Sequence, residues 1–285
     1  MRWSKRREAF RALFAGDRCI HPGSVFDPLS ARIAEELGFE AGMFAGSVAS
    51  LTVLGAPDLI VLTLSEFAGQ AYRINRAAEL PLMVDADHGY GNALNVTRTV
   101  EELEAAGVAG LSIEDTALPQ PFGTLGKTQL ISIEEGAGKM RAALAGRRDP
   151  ELMIFGRTSA ASVTDTEDAA RRIAAYEAAG VDAIFLVGVK TKAQLETLRN
   201  AVKLPLMLGG AGPEIMDLDY LSSMGVRICL QSHAPFMAAV QAVYDTLKAL
   251  REGTAPKDLQ GVAAPELMRR LTRDADYKAR MEDWL

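Results

Sequence analysis

Two carboxylates, Asp85 and Asp87, stand two residues apart at the end of the apolar run Leu82-Met83-Val84, and a glycine-rich turn, His88-Gly89-Tyr90-Gly91, follows. If residues 82–87 form a strand, both acids share one face, because side chains along a strand alternate with a period of two. Neighbouring carboxylates repel unless a proton or a cation stands between them. A hard ion such as Mg2+ suits the pair, since it takes one or two carboxylates and keeps several of its waters. The plainer alternative is a pair of solvated aspartates before a turn. Just beyond, Asn95 reads as the cap of a helix.

These residues need elements to hold them in place. Apolar runs at 19–24, 42–45, 82–87, 110–114, 152–157, 183–187, 204–208 and 227–231 read as strands. They alternate with helical patterns near 29–37, 65–78, 96–106, 134–145, 166–179, 191–201, 214–224 and 234–251. Residues 4–15 precede them as an amphipathic helix with Phe10, Leu13 and Phe14 on one side. Strands that alternate with helices imply a parallel sheet. Gly38, Gly107, Gly180 and Gly225 each close a helical stretch shortly before a strand, as left-handed caps do. Eight such units fit an α/β fold of the (β/α)8 TIM-barrel type, whose usual size is ~250 residues. A doubly wound open sheet fits less well, because no GxGxxG follows the first strand. The expected division is an N-terminal helix over 1–18, the barrel over 19–251 and a C-terminal helical tail over 252–285. The charged segment 268–285 is expected to pack outside the barrel or on a neighbouring subunit, with a partly mobile tail as the alternative.

Composition narrows the function classes. The chain has 285 residues, 48% hydrophobic and 24% charged, which is the profile of a soluble globular protein. A net charge of -6 without a basic stripe argues against nucleic acid as a partner. No 18-residue apolar run exists to span a membrane, and the segment Met1 to Phe14 lacks the apolar centre of a signal peptide. A cytoplasmic location is expected. Cys19 and Cys229 lie in apolar runs and read as buried free thiols.

In a barrel the active site forms at the carboxyl ends of the strands. That rule selects Asp85 and Asp87 after the third strand, Glu114 and Asp115 after the fourth, and Arg157 after the fifth. Ser47 follows the second strand, Asp58 lies in the next loop, and His233 follows the eighth. Acids, a guanidinium, a hydroxyl and an imidazole would thus converge on one mouth. The plainer readings are a helix-start role for His233 and a structural pairing of Arg157 with Glu114. His21 reads as a satisfied barrel histidine, with a ligand role as the alternative, while His88 either orients the acids or faces solvent. Gly126-Lys127-Thr128 echoes a P-loop, but Pro121 stands where its first glycine belongs. Gly209 to Gly212 reads as a flexible loop, with a phosphate cradle as the alternative.

Several phrases carry a resemblance. They are Asp85-Ala86-Asp87 with Gly89-Tyr90-Gly91, Thr99 to Leu103, Ala106 to Gly110, Ile113-Glu114-Asp115, Phe26 to Arg32, Gly46-Ser47, Pro57-Asp58 and Arg157-Thr158. Over residues 5–250 the chain resembles the isocitrate lyase/phosphoenolpyruvate mutase superfamily. Ala45 to Ser50, Asp87 to Val96 and His233-Ala234 look closest to its oxaloacetate-decarboxylating branch. The resemblance implies Mg2+, with Mn2+ as the alternative, held directly by Asp85 while Asp58, Asp87 and Glu114 hold its waters. It implies that Ser47 and Arg157 take a substrate carboxylate and that His233 stands beside the reacting end. The implied reaction is decarboxylation of a small 2-oxo dicarboxylic acid, oxaloacetate to pyruvate and CO2. The implied assembly is a homotetramer that exchanges its C-terminal helix.

Two departures stand out. The superfamily's lyases carry a catalytic cysteine in the loop after strand four, and here that loop, Leu118 to Lys127, has none. The decarboxylating branch has a tyrosine after strand seven, and here Gly209-Gly210-Ala211-Gly212 has no aromatic residue. The rival readings are a carbon–carbon lyase of (methyl)isocitrate or substituted malates, and a dicarboxylate-binding relative without turnover.

Overall fold

The computed structural model describes residues 3–124 and 126–285; Met1 and Arg2 of the expected N-terminal segment and Leu125 of the loop after strand four lie outside the described residues. Eight strands form one sheet in sequential order: β1 (Gly23–Ser24), β2 (Gly42–Ala45), β3 (Leu82–Asp85), β4 (Gly110–Glu114), β5 (Met153–Thr158), β6 (Ala183–Leu186), β7 (Leu206–Leu208) and β8 (Val226–Cys229). Neighbouring strands are parallel throughout. Ile20 closes the ring: its amide donates to the Arg227 carbonyl at 3.0 Å and its carbonyl accepts from the Cys229 amide at 3.0 Å. The (β/α)8 expectation is borne out.

The helices follow in order: α1 (Ser4–Ala15), α2 (Pro28–Glu36), α3 (Gly46–Ala49), α4 (Leu64–Ala77), α5 (Ala93–Ala105), α6 (Ile133–Gly146), α7 (Ala160–Val163), α8 (Thr166–Ala179), α9 (Lys192–Ala201), α10 (Leu218–Ser223), α11 (Ala234–Arg251), α12 (Pro265–Thr272) and α13 (Asp274–Trp284). Gly38, Gly107, Gly180 and Gly225 all adopt positive φ, between 75° and 100°, where a side chain would be strained.

Alternation along the strands sorts residues into two apolar layers. One layer lies between sheet and helices and includes Phe44, Val84, Leu111, Ile154 and Ile184. The other fills the barrel with Met43, Met83, Met153, Phe155, Phe185 and Met207, and α1 adds Phe10 and Phe14 to it. Phe14 meets Phe155 edge-on at 5.1 Å, so α1 stoppers the end away from the carboxyl mouth. Arg7 of α1 is buried and pairs with Asp149 at 2.7 Å while donating to the carbonyls of Val108 and Glu104. Removing one partner of such a buried pair costs about 3–5 kcal/mol.

Some boundaries differ from the sequence reading. The first strand pairs with β2 only at Gly23–Ser24; the amides of Gly23 and Val25 face β2, whereas Pro22 falls in line with Ile20 on the β8 side and has no amide to extend that bridge into a ladder. The third stops at Asp85 rather than Asp87. Asn92, not Asn95, caps α5; its side chain accepts from the amides of Leu94 and Asn95, and Asn95 reciprocates by accepting from the Asn92 amide at 3.0 Å. The stretch 214–224 splits into a 3-10 turn, Pro213–Ile215, and α10, which starts at its own cap, Asp217. The short α3, the π turn Ser50–Leu54 after it and α7 were not expected, since one turn of helix is too short to show a period.

At the carboxyl end of the chain, α12 docks on α2 through Arg270–Glu36 at 2.7 Å and Arg273–Glu35 at 3.0 Å. None of the 18 residues of α11 is buried, although Met237, Val240, Val243, Tyr244 and Leu247 are apolar.

Candidate active site

Inward parity carries each strand's interior residue on to a mouth residue. Met83 is followed two positions later by Asp85, Phe155 by Arg157, and Ser112 by Glu114. The sheet register brings these ends level, with Ala45 beside Asp85, Asp85 beside Ser112 and Glu114 beside Arg157. A cavity of about 390 Å3 opens there, and Ser47, Asp58, Asp85, Asp87, Glu114, Arg157 and His233 all line it. Every candidate with an assigned role in the sequence reading therefore reaches one space.

Asp85 accepts from Ser112 Oγ at 2.8 Å and from Arg157 Nη1. The other arm of Arg157 reaches Glu114 at 3.1 Å, and its guanidinium lies over the Phe185 ring at 5.2 Å. Ser47 enters from α3, directly after β2, and Asp58 from the loop that follows. Asp87 lies beyond the end of β3, contrary to the strand that the sequence predicts over 82–87, and stands in a left-handed turn at φ 48°. His233 is the residue before α11, and its Nδ1 meets Ser24 Oγ at 2.9 Å.

Asp115 does not join the mouth. One residue past Glu114, it points to the opposite side of the sheet, where it accepts from Tyr176 Oη at 2.7 Å and Arg172 at 3.0 Å. His88 does not face solvent: it is buried, its carbonyl accepts from the buried Lys139 at 2.9 Å, and burial together with Lys139 pushes its imidazole down to about 4. His21 Nδ1 donates to the Cys229 carbonyl, 2.7 Å away, and so is satisfied within the seam between β1 and β8.

The electrostatics are those of an acid cluster short of positive charge. Burial, then Asp85, then Glu114 hold the Asp87 carboxyl well above its ordinary range. Burial also lifts Glu114 to about 7, with Asp85 and Asp115 adding to it against the pull of Arg157. Asp58 is raised by burial and by Asp85. Burial alone would lower Arg157, but Asp85 and Glu114 outweigh it and keep the guanidinium charged. Four carboxylates thus share one arginine. That donor set is all hard oxygen and suits a divalent cation that retains waters. Among the described residues no three acids, histidines or cysteines converge closely enough to ligate an ion directly, so one or two direct ligands with water-held partners is the fitting arrangement.

Sequence reasoning missed Ser24 and Ser112, and named Gly46 only as part of the Gly46-Ser47 phrase, without a role. Ser24 and Ser112 sit at or near strand ends, where the barrel rule looks, but a lone serine has no spacing to mark it. Gly46 matters through its missing side chain: a Cβ there would meet the Asp87 carboxylate, with Oδ1 at 2.8 Å.

Fold and site define a (β/α)8 barrel with an acid-rich polar cavity at its carboxyl mouth. A family model described as phosphoenolpyruvate phosphomutase matches residues 10–251, and the chain belongs to that family, within the superfamily that the motifs resemble. It is 61% identical to an oxaloacetate decarboxylase of Rhodopseudomonas palustris (strain BisB18), covering 100% of this chain and 99% of that one. It is 60% identical, with the same coverage, to an oxaloacetate decarboxylase of Bradyrhizobium diazoefficiens. Among solved structures, oxaloacetate acetylhydrolase with 3,3-difluorooxalacetate superposes with a TM-score of 0.86 at 29% identity, covering 98% of this chain and 97% of that one. Phosphonopyruvate hydrolase with oxalate and Mg++ gives 0.85 at 28% identity, with 98% and 99% covered.

Proposed function

We propose that this protein is a metal-dependent carboxy-lyase that converts oxaloacetate to pyruvate and CO2. The observation that carries the reading is the single cavity in which the carboxylate cluster, Arg157, Ser47 and His233 all face one another's space. The full-length relatives named oxaloacetate decarboxylase support it. The oxygen-rich donor set, and the Mg++ and oxalate held by phosphonopyruvate hydrolase, support Mg2+ as the ion.

Asp85 would hold the ion directly, with Asp58, Asp87 and Glu114 holding its waters. The ion would supply Lewis-acid polarisation of the 2-oxo group and stabilise the enolate charge left when CO2 departs. The chain's own residues do the rest. Arg157 and Ser47 hold the C1 carboxylate, which fixes the orientation of the breaking C3–C4 bond. His233 stands after β8, across the ring from β4, and meets the C4 carboxylate or the carbon to be protonated. Leu118 and Pro119 line the cavity and bring no thiol to it, while Cys19 and Cys229 are buried elsewhere, so a cysteine-dependent carbon–carbon lyase finds no acid here.

The assembly proposed with this function is a homotetramer that exchanges its last helix. Support comes from the apolar but unburied α11 and from an apolar groove walled by Phe26, Ile33, Leu37 and Phe39. No helix among the described residues is long and apolar enough to cross a membrane, and a cytoplasmic location goes with the proposal.

The test is a product-mass screen of 2-oxo and 2-hydroxy dicarboxylates, with and without Mg2+, alongside Asp85→Ala. Pyruvate from oxaloacetate, lost in the variant and without the ion, is expected. Cleavage of methylisocitrate or dimethylmalate would favour the lyase, and near-wild-type activity of Asp85→Ala would remove the metal assignment.

A further inference from the structure

Among the described residues, the seam between β1 and β8 is joined by an isolated bridge, at Ile20, rather than by a ladder. Beyond that bridge, two side-chain hydrogen bonds cross the seam: His21 Nδ1 to the Cys229 carbonyl at 2.7 Å and, at the mouth, Ser24 Oγ to His233 Nδ1 at 2.9 Å. Three further observations give the second of these meaning. The imidazole does not cap α11, so its orientation is not set by the helix it precedes. Among the described residues, Ser24 Oγ has no other hydrogen-bond partner, so its proton has Nδ1 as its available acceptor. His233 Nε2 has no partner among the described residues and is not sealed from the cavity that the ring lines.

We propose that Ser24 is a positioning residue for the reaction: it donates its hydroxyl proton to Nδ1 of neutral His233, so that Nε2 carries the ring proton into the cavity. A hydroxyl has one proton and two lone pairs, and a neutral imidazole has one donor and one acceptor nitrogen. If Nδ1 were the donor, the serine proton would have no protein acceptor among the described residues and Nε2 would present a lone pair to an anionic substrate, which repels it. With the tautomer reversed, Nε2–H donates to a carboxylate oxygen. Burial of the ring, which lowers its pKa against the opposing effect of Asp85, favours the neutral form this arrangement needs. The role of this hydrogen bond in turnover rests on the decarboxylase reading; the tautomer itself does not.

The test uses the full chain labelled with 15N at its three histidines. The side-chain signals lost in His233→Asn identify the residue. The expected wild-type pattern is a neutral ring protonated at Nε2, and Ser24→Ala is expected to shift it toward protonation at Nδ1. In parallel, kcat for oxaloacetate should fall roughly tenfold, the scale of one lost hydrogen bond, with KM and oxalate affinity within about twofold. Ser24→Thr, which keeps the hydroxyl, should restore both spectrum and rate. A wild-type ring protonated at Nδ1 overturns the proposal without any variant having to fold, and so does an unchanged spectrum in a folded Ser24→Ala. If the spectra behave as expected but oxaloacetate is not turned over, Ser24 still sets the tautomer and the decarboxylase reading is what fails.

Discussion

The backbone amide of Glu114 donates a 2.8 Å hydrogen bond to the carbonyl oxygen of Asp87. Two acids of the cluster are therefore tied through the main chain, across the ends of β4 and β3. This bond holds Asp87 in its left-handed turn, a conformation that aspartate tolerates better than most residues. The Lys139 ammonium on the His88 carbonyl and the Thr99 hydroxyl on the Gly89 carbonyl, at 2.9 and 3.0 Å, brace the same turn from behind.

Gly46 makes room for the Asp87 carboxylate, so Gly46→Ala tests whether that placement matters. The added methyl displaces the carboxylate, at a cost of about 1–3 kcal/mol from overpacking. We expect Mg2+ affinity, read by titration calorimetry on the folded variant, to fall at least about tenfold, since groups that hold an ion's waters or orient its ligands carry losses of that order. Unchanged affinity would mean that Asp87 takes no part in holding the ion's shell.

The raised carboxyls give a stability slope with a definite sign. Glu114 sits at about 7 in the folded chain against an ordinary 4.5. Between those values the folded state holds more protons than the unfolded state, so this contribution is full below about 4.5 and is lost as pH rises through about 7. Asp87 and Asp58 are shifted the same way. The Tm of chelator-treated protein should carry this decline from about pH 5 to about pH 7.5, measured as the difference between wild type and Glu114→Gln. Parallel curves for the two proteins would show that Glu114 does not titrate there.

For His233, the informative comparison is turnover against binding of oxalate. General acid–base groups contribute about 10²–10⁴-fold. His233→Ala should lose kcat in that range while oxalate, which reports the ion and Arg157, binds nearly as before. Equal losses would make His233 a prop of the site, and no loss would return it to a helix-start residue.

The two thiols should be inert. Cys19 and Cys229 are buried, and burial pushes them up to about 12 and about 11 respectively, so little thiolate exists at neutral pH. Alkylating reagents applied to the folded protein should leave activity unchanged. Rapid inactivation that substrate prevents would place a cysteine in the cavity.

What the sequence determined by itself was whatever repeats locally. Apolar runs, helix-closing glycines and the β–α alternation specified the barrel, and the rule that its mouth lies at strand ends brought Asp58, Asp85, Asp87, Glu114, Arg157, Ser47 and His233 to one cavity. Tertiary structure decided what periodicity does not encode. Asp87 leaves the strand at a left-handed turn although its carbonyl still accepts from the Glu114 amide, and Asp115 turns outward to Tyr176 and Arg172 although it adjoins Glu114. His88 is buried over Lys139 rather than solvated. Ser24 and His233 meet across 209 residues of chain, a contact that exists only once the ring has closed. Local pattern sets which face a side chain shows; which neighbour it finds there depends on strands brought together from distant parts of the chain.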